Sequence, residues 1–257
     1  WNAIVGCSIV SPGCTNCYAM RMAARIEKMT VSSHYDGITE KVNGKAVWTG
    51  KVEQANDNIF IEPLRRRKPT RYFVNSMGDL FHENIPDLWI DQVIAVMALC
   101  PQHTFQVLTK RPERMRKYMT AVLEAKRPIA VTASRIRGSI IGGVQAVGAM
   151  HRNGVCVPLD NLWLGVSAER QQEWDERVEI LGRTPAAVRF VSVEPILGPI
   201  DCGNAFDDPP DGSEYGPIDW IICGGESGPG ARPMHPDWAR SLRDQCHAAM
   251  TPFFFKQ

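Results

Sequence analysis

Three cysteines near the start of the chain, Cys7, Cys14 and Cys17, stand at a C-x6-C-x2-C spacing. A C-x2-C pair brings two thiolates onto one metal or cluster, and the third can fold back across the Pro12-Gly13 turn to complete a face. Three thiolates leave one iron of a [4Fe-4S] cluster without a protein ligand, so that a cofactor or substrate can bind iron directly. The competing chemistry is a zinc site closed by a fourth ligand from elsewhere, such as His34 or Cys156. The remaining cysteines stand singly at 100, 156, 202, 223 and 246. In a chain without a basic-then-apolar leader, that scatter is no disulfide framework. It points to a metal site in a reducing, cytoplasmic compartment.

Further polar residues follow short apolar segments. Asn75-Ser76-Met77-Gly78-Asp79 follows Arg71–Val74, and Thr109-Lys110-Arg111 follows Thr104–Leu108. Ser167-Ala168-Glu169 follows Leu162–Val166, Glu194-Pro195 follows Val188–Val193, and Cys223-Gly224-Gly225-Glu226-Ser227 ends Trp220–Cys223. One such residue could be a helix cap, but a succession of them suggests a shared site. In a parallel α/β barrel, strand C-termini converge on one mouth where the active site is built.

The elements that must position these residues alternate between strand and helix. The apolar Ala3–Val5 precedes the cysteine loop, and Met20, Ala23, Ala24 and Ile26 give a helix from Tyr18 to about Met29 a buried face. Pro86-Asp87, Pro112 and Pro236 open further helices, and Gly182 stops the one that begins near Arg170. Residues 30–70 read as irregular, and loop insertions are expected near 128–160, with a short helix at Ile140–Met150, and at 198–217. The short apolar strands suit a parallel sheet buried on both faces. The expected fold is therefore α/β, a partial (β/α)6-type parallel barrel in a single domain over residues 1–257, with its active site at the strand C-termini. An open doubly wound sheet is the alternative.

Composition excludes some partners. The 29 basic and 28 acidic residues leave a net charge of +1, which demands neither a polyanion nor a membrane. No apolar run approaches a membrane span. Arg65-Arg66-Arg67-Lys68 is the one strong charge cluster. It reads as a solvated loop or, with a nucleic-acid substrate, as a phosphate contact. The chain opens at Trp1 inside the cysteine motif and stops in strand-like Phe253–Gln257, which reads as trimming at both ends.

These motifs resemble those of the phage and prophage three-cysteine-motif proteins, a family of unassigned function related to radical S-adenosylmethionine enzymes. The resemblance is carried by Trp1-Asn2, Gly6-Cys7, Gly13–Ala19, Val74–His82, Leu108–Pro112, Trp163–Ser167, Val191–Pro195 and Gly224–Gly228. It covers nearly the whole chain. It implies a TIM-barrel-like half-barrel, a [4Fe-4S] cluster on Cys7, Cys14 and Cys17, and S-adenosylmethionine on the open iron. Cleavage of that cofactor by a reductant such as flavodoxin or ferredoxin would give a 5′-deoxyadenosyl radical, which abstracts hydrogen from a substrate; a nucleotide or nucleic acid is a candidate. The usual spacing in such enzymes is C-x3-C-x2-C, and the first gap here is wider. The alternative is a metal-stabilised nucleic-acid-binding or scaffold protein without catalysis.

On this reading Tyr18 packs by the cluster or under the adenine. Asn75, Ser76 and Asp79 hold the methionine ammonium, and Lys110 or Arg111 pairs its carboxylate. Ser167 and Glu169 take the ribose hydroxyls, and Glu194 reaches the same site or the substrate. Cys223 is a candidate hydrogen-atom donor, Glu226 shapes the substrate side, and His82 and His235 are candidate acid–base groups.

Overall fold

The computed structural model describes residues 1–29, 33–124, 126–127, 129–141, 158–207 and 216–256. The chain begins with β1 (Ile4–Val5), α1 (Tyr18–Lys28), a hairpin of β2 (Thr39–Val42) and β3 (Lys45–Trp48), and β4 (Glu53–Gln54). Two single-turn helices, α2 (Asp57–Phe60) and α3 (Glu62–Arg65), lead to β5 (Arg71–Val74). Then come α4 (Asp87–Ala98), β6 (Thr104–Thr109), α5 (Pro112–Leu123), α6 (Ile129–Ile141), β7 (Leu162–Ser167), α7 (Gln171–Gly182) and β8 (Val188–Val193). The last elements are β9 (Trp220–Gly224), α8 (Pro236–Ala248) and β10 (Phe253–Lys256).

Six strands form one parallel sheet in the order β10-β9-β8-β7-β6-β5. Each strand lies beside its neighbour in sequence, so the winding never reverses. A doubly wound sheet needs that reversal, and its absence here removes the alternative. Repeated right-handed crossovers in one direction put the helices on one face, and the twisted sheet curls into a half-barrel. Ala3–Val5, read as the first strand of the series, does not join this sheet: β1 pairs antiparallel with β4, while the residues around it run beside the end of β5. The Trp1 ammonium donates to Phe73 O at 3.0 Å, Asn75 N–H donates to Trp1 O at 2.8 Å, and Gly6 N–H donates to Met77 O at 3.0 Å. The cysteine loop therefore starts beside the C-terminal end of β5.

The helix-facing side is an apolar core that includes Val74, Phe105, Val107, Leu164, Val166, Val191, Val193, Ile221 and Cys223. The inner face is different. Phe73 and Phe254 are exposed there, and Asn75, Gln106, Ser192 and Glu194 share it. The expectation of burial on both faces therefore holds for the central strands and fails at the edges, because a half-barrel encloses its inner face only in part. Lower in the barrel, the Phe190 ring lies where a Gly165 side chain would stand, 2.6 Å from that Cβ position, and packs on Trp220 at 5.7 Å.

Two segments read as irregular are ordered. Residues 39–48 form a hairpin whose turn, Asn43-Gly44, has φ of 48° and 80°. Asn-Gly is the residue pair that such turns favour. The hairpin's Trp48, with Ile38 and Tyr35, packs on Ala19, Met20 and Ala23 of α1 in a separate apolar cluster. The first part of the 128–160 insertion is α6, which packs on α4 through buried Ile129 and Ala133. The short helix expected at Ile140–Met150 falls outside the described residues beyond Ile141, and so does 208–215 of the second insertion. No helix among the described residues is long and apolar enough to cross a membrane.

Gly6 has φ of 97°, and a Cβ there would meet Lys51 O at 2.1 Å. Gly44 has a similar φ with open space around it. Gly6→Ala should therefore destabilise the fold by more than ~2 kcal/mol, and Gly44→Ala by ~1 kcal/mol. Urea denaturation midpoints check that order.

Candidate functional site

Strand ends, cysteine loop and hairpin enclose a cavity of about 540 Å³. Cys7, Cys14 and Cys17 all line it. Tyr18, Asn75, Ser76, Asp79, Lys110, Ser167, Glu194 and Glu226 line it as well, with Trp48, Phe73, Gln106, Trp220, Phe254 and Lys256. Cys223, Glu169 and Arg111 do not. A larger cavity of about 870 Å³ lies between α7 and residues 201–207 and 216–218. It flanks 208–215, outside the described residues, and is no argument for a site.

The cysteine loop is held from three strand ends. Glu169, past β7, is fully buried and accepts from Gly13 N–H at 2.9 Å, Lys110 Nζ at 2.9 Å and Arg177 Nη1 at 3.2 Å, and also from the Ser11 hydroxyl. Burial raises the Glu169 carboxyl, but Lys110, Ser11 and Arg177 outweigh it and hold it below its ordinary value. Past β9, Glu226 Oε2 accepts from Asn16 Nδ2 at 2.8 Å, and Arg232, bound to the same carboxylate, donates to Pro12 O at 3.0 Å. Past β6, Arg111 donates to Cys7 Sγ at 3.8 Å, Ser8 Oγ at 2.7 Å and Asp79 Oδ2 at 2.9 Å.

The roles expected from residue type change accordingly. Glu169 has its acceptors taken by the loop and two cations, so it does not reach a ribose. Asp79 accepts from Phe81 N–H, Thr109 Oγ1, Lys110 N–H and Arg111, which leaves it committed to the scaffold rather than to an ammonium. Asn75 faces the cavity wall with the opposite polarity from that expected. Its Oδ1 accepts from Ile4 N–H at 3.2 Å, and its buried Nδ2, a donor, makes no hydrogen bond. Gln106 Nε2 on the adjacent strand is buried in the same condition. Glu226 is held ionised, to about 2, chiefly by Arg232 and also by Asn16, and is no general acid. Cys223 lies in the helix-facing core with Leu242 and Cys246, so the cavity has no access to its thiol.

The histidines also resolve. His82 is fully buried, and its Nδ1 accepts from Asn84 N–H at 3.1 Å. The ring proton is therefore on Nε2, which donates to Ser8 Oγ at 2.9 Å. Burial, then Arg111, push its pKa down, and it serves the loop as a neutral donor. His235 is exposed and caps α8 through Asp237 N–H. His34 packs on Tyr35 outside the cavity wall, and Cys156 lies outside the described residues. Arg65–Lys68 is exposed before the N-terminal end of β5, the end of the barrel opposite the mouth.

Tyr18, Ser76, Ser167 and Glu194 are the expected residues that the structure leaves facing the cavity. Tyr18 OH donates to Ser76 O at 3.1 Å, and Ser192 Oγ donates to Glu194 Oε2 at 3.0 Å. Lys110 faces it too, but bound to Glu169. Burial raises the Cys7 thiol to about 12, with Asp79 adding to the rise, and raises Cys17. Among the described residues, no three His, Cys, Asp or Glu stand close enough together to grip one metal ion. Sequence reasoning missed Arg177 and Arg232, which carry no local signal because their partners lie on other strand ends.

The family model of the Protein of unknown function (DUF5131) matches residues 1–257. The chain belongs to that family. The match assigns it no activity. No curated protein and no solved structure matches the chain significantly.

Glu169→Gln leaves Lys110 and Arg177 without their buried counter-charge. The expected loss is about 3–5 kcal/mol by chemical denaturation, with faster hydrogen exchange in residues 11–17. Glu226 has a depressed folded pKa, so its stabilisation is complete above the unfolded value of about 4.3 and is lost as pH falls from there through 2. Glu226→Gln should flatten that acid limb in melting temperatures measured from neutral to strongly acidic pH.

Proposed function

We propose that this chain is a radical S-adenosylmethionine enzyme whose [4Fe-4S] cluster is held by Cys7, Cys14 and Cys17. The observation that carries the reading is that all three thiols line one cavity, at the C-terminal mouth of a parallel half-barrel. Thiolates are the usual cluster ligands, and this mouth is where barrel enzymes build their sites. The donor chemistry fits the group: three sulfurs from one loop, with no imidazole among the described residues that line the cavity. The (β/α)6 description, kinship with radical enzymes, a cytoplasmic setting and an electron donor of the flavodoxin or ferredoxin class belong to the same proposal.

The bound cluster and S-adenosylmethionine would supply hydrogen abstraction from an unreactive carbon. The chain's own residues hold and shield. Cys7, Cys14 and Cys17 would bind as thiolates, against burial that favours the protonated thiols of Cys7 and Cys17. Glu169, Arg232 and Arg111 fix the loop that carries them. Tyr18, Ser76, Ser167 and Glu194 face the space a nucleoside-bearing cofactor would take, with hydroxyl and carboxylate groups suited to ribose. Asn75 Nδ2 suits a carboxylate or carbonyl oxygen rather than an ammonium. Trp220 and Phe73 make the lower wall apolar, which favours exclusion of water. The position of Arg65–Lys68 lends no support to a phosphate contact at the mouth, so the substrate is left open.

The test is anaerobic reconstitution followed by electron paramagnetic resonance with and without S-adenosylmethionine. A [4Fe-4S] signal perturbed by the cofactor, with 5′-deoxyadenosine released on reduction, is the expected result. Single Cys7→Ala, Cys14→Ala and Cys17→Ala variants should each lose the signal. Protein that holds zinc alone, or a cluster indifferent to the cofactor, would sink the radical mechanism and favour a metal-stabilised binding protein.

A further inference from the structure

We infer that Arg111 is a positioning residue that ties Cys7 to the barrel and sets how readily a cluster bound there accepts an electron. The inference rests on the cluster reading above.

A guanidinium carries its donors in a rigid planar fork. In Arg111 that fork is used in every direction. Nε donates to Glu83 Oε2 at 2.6 Å, Nη1 to Asp79 Oδ2 at 2.9 Å and to Cys7 Sγ at 3.8 Å, and Nη2 to Ser8 Oγ at 2.7 Å. Its side chain is 10% exposed, so these contacts are made largely out of water. It touches both the sulfur of Cys7 and the residue that follows, and so fixes where that sulfur points. Ser8 is pinned from the other side by His82 and Glu83.

The same contact has an electrostatic consequence. Cluster potentials respond to hydrogen bonds on the ligand sulfurs and to local charge. A reduced cluster carries one more negative charge, so a cation at the sulfur favours reduction and a carboxylate opposes it. Arg111 is flanked by two carboxylates of different character. Asp79 is buried at 7% exposure, whereas Glu83 is 59% exposed. Removing the exposed one takes away a negative charge without opening the core. Replacing the guanidinium by an ammonium keeps the charge but cannot hold Asp79, Ser8 and Cys7 together.

The experiment is a redox titration, followed by electron paramagnetic resonance, of reconstituted wild type, Glu83→Gln and Arg111→Lys, with iron counted in each. The midpoint should move positive in Glu83→Gln and negative in Arg111→Lys, which should also bind less iron. Coincident midpoints in three fully loaded proteins overturn this inference and leave the cluster reading standing. A wild type that takes up no cluster overturns both. Glu83 is exposed, so its variant keeps the test decisive if Arg111→Lys fails to fold.

Discussion

A carboxylate with no exposed surface must find its counter-charge where it lies, and Glu169 finds two, Lys110 and Arg177. The remaining hydrogen bonds of that carboxylate go to Ser11 and Gly13, so its neutralisation and the seating of the cysteine loop are one event. A peptide loop that joins a sheet to a helix has little apolar surface of its own to bury. Here it is fixed by charge-assisted hydrogen bonds, which are short and directional. Arg111 and the Glu226–Arg232 pair repeat the device from two other strand ends. The loop is thus triangulated from β6 and β7, which are paired neighbours, and from β9, two strands further round the sheet.

This changes what the polar residues at the mouth are for. Every strand end carries chemistry-bearing side chains, but they divide into two groups. Asp79, Arg111, Glu169, Glu226 and His82 are saturated by neighbours and build the rim. Tyr18, Ser76, Ser167 and Glu194 remain on the cavity side, with the amide ends of Asn75 and Gln106 in its wall. An active site needs both, because ligand-facing groups are effective only when held by supporting hydrogen bonds.

The single direction of winding has a further consequence. Among the described residues the helices of the crossovers lie outside, so the inner face is left to line a cavity, with Tyr18 and Ala19 of α1 at its mouth. Large aromatic residues at the lower ends of β7, β8 and β9 fill the narrow part of the barrel, where Gly165 makes room for Phe190. The cysteine loop and the β2–β3 hairpin close the other end. What would otherwise be an exposed sheet surface becomes a cavity with the cysteine loop at its edge.

The sequence by itself determined the α/β class, the parallel strands from Arg71–Val74 onward, most helix starts and the three cysteines, but not that Ala3–Val5 stands apart in an antiparallel pair. These are local signals: apolar runs of strand length, prolines at first turns and the C-x2-C spacing all act over a few residues. It also held the hairpin signal at Asn43-Gly44 within a segment read as irregular. It could not separate Glu169 from Glu194, or Lys110 from Arg111, since each pair offers the same chemistry at a strand end. Which member faces a ligand depends on burial and on how fully neighbours occupy the carboxylate: Glu169 is fully buried and accepts from Ser11, Gly13, Lys110 and Arg177, whereas Glu194 stays partly exposed beside Ser192 and Lys256. Nor could it place Cys223. Successive residues of a strand alternate sides, and which side meets the helices is settled only when the sheet curls.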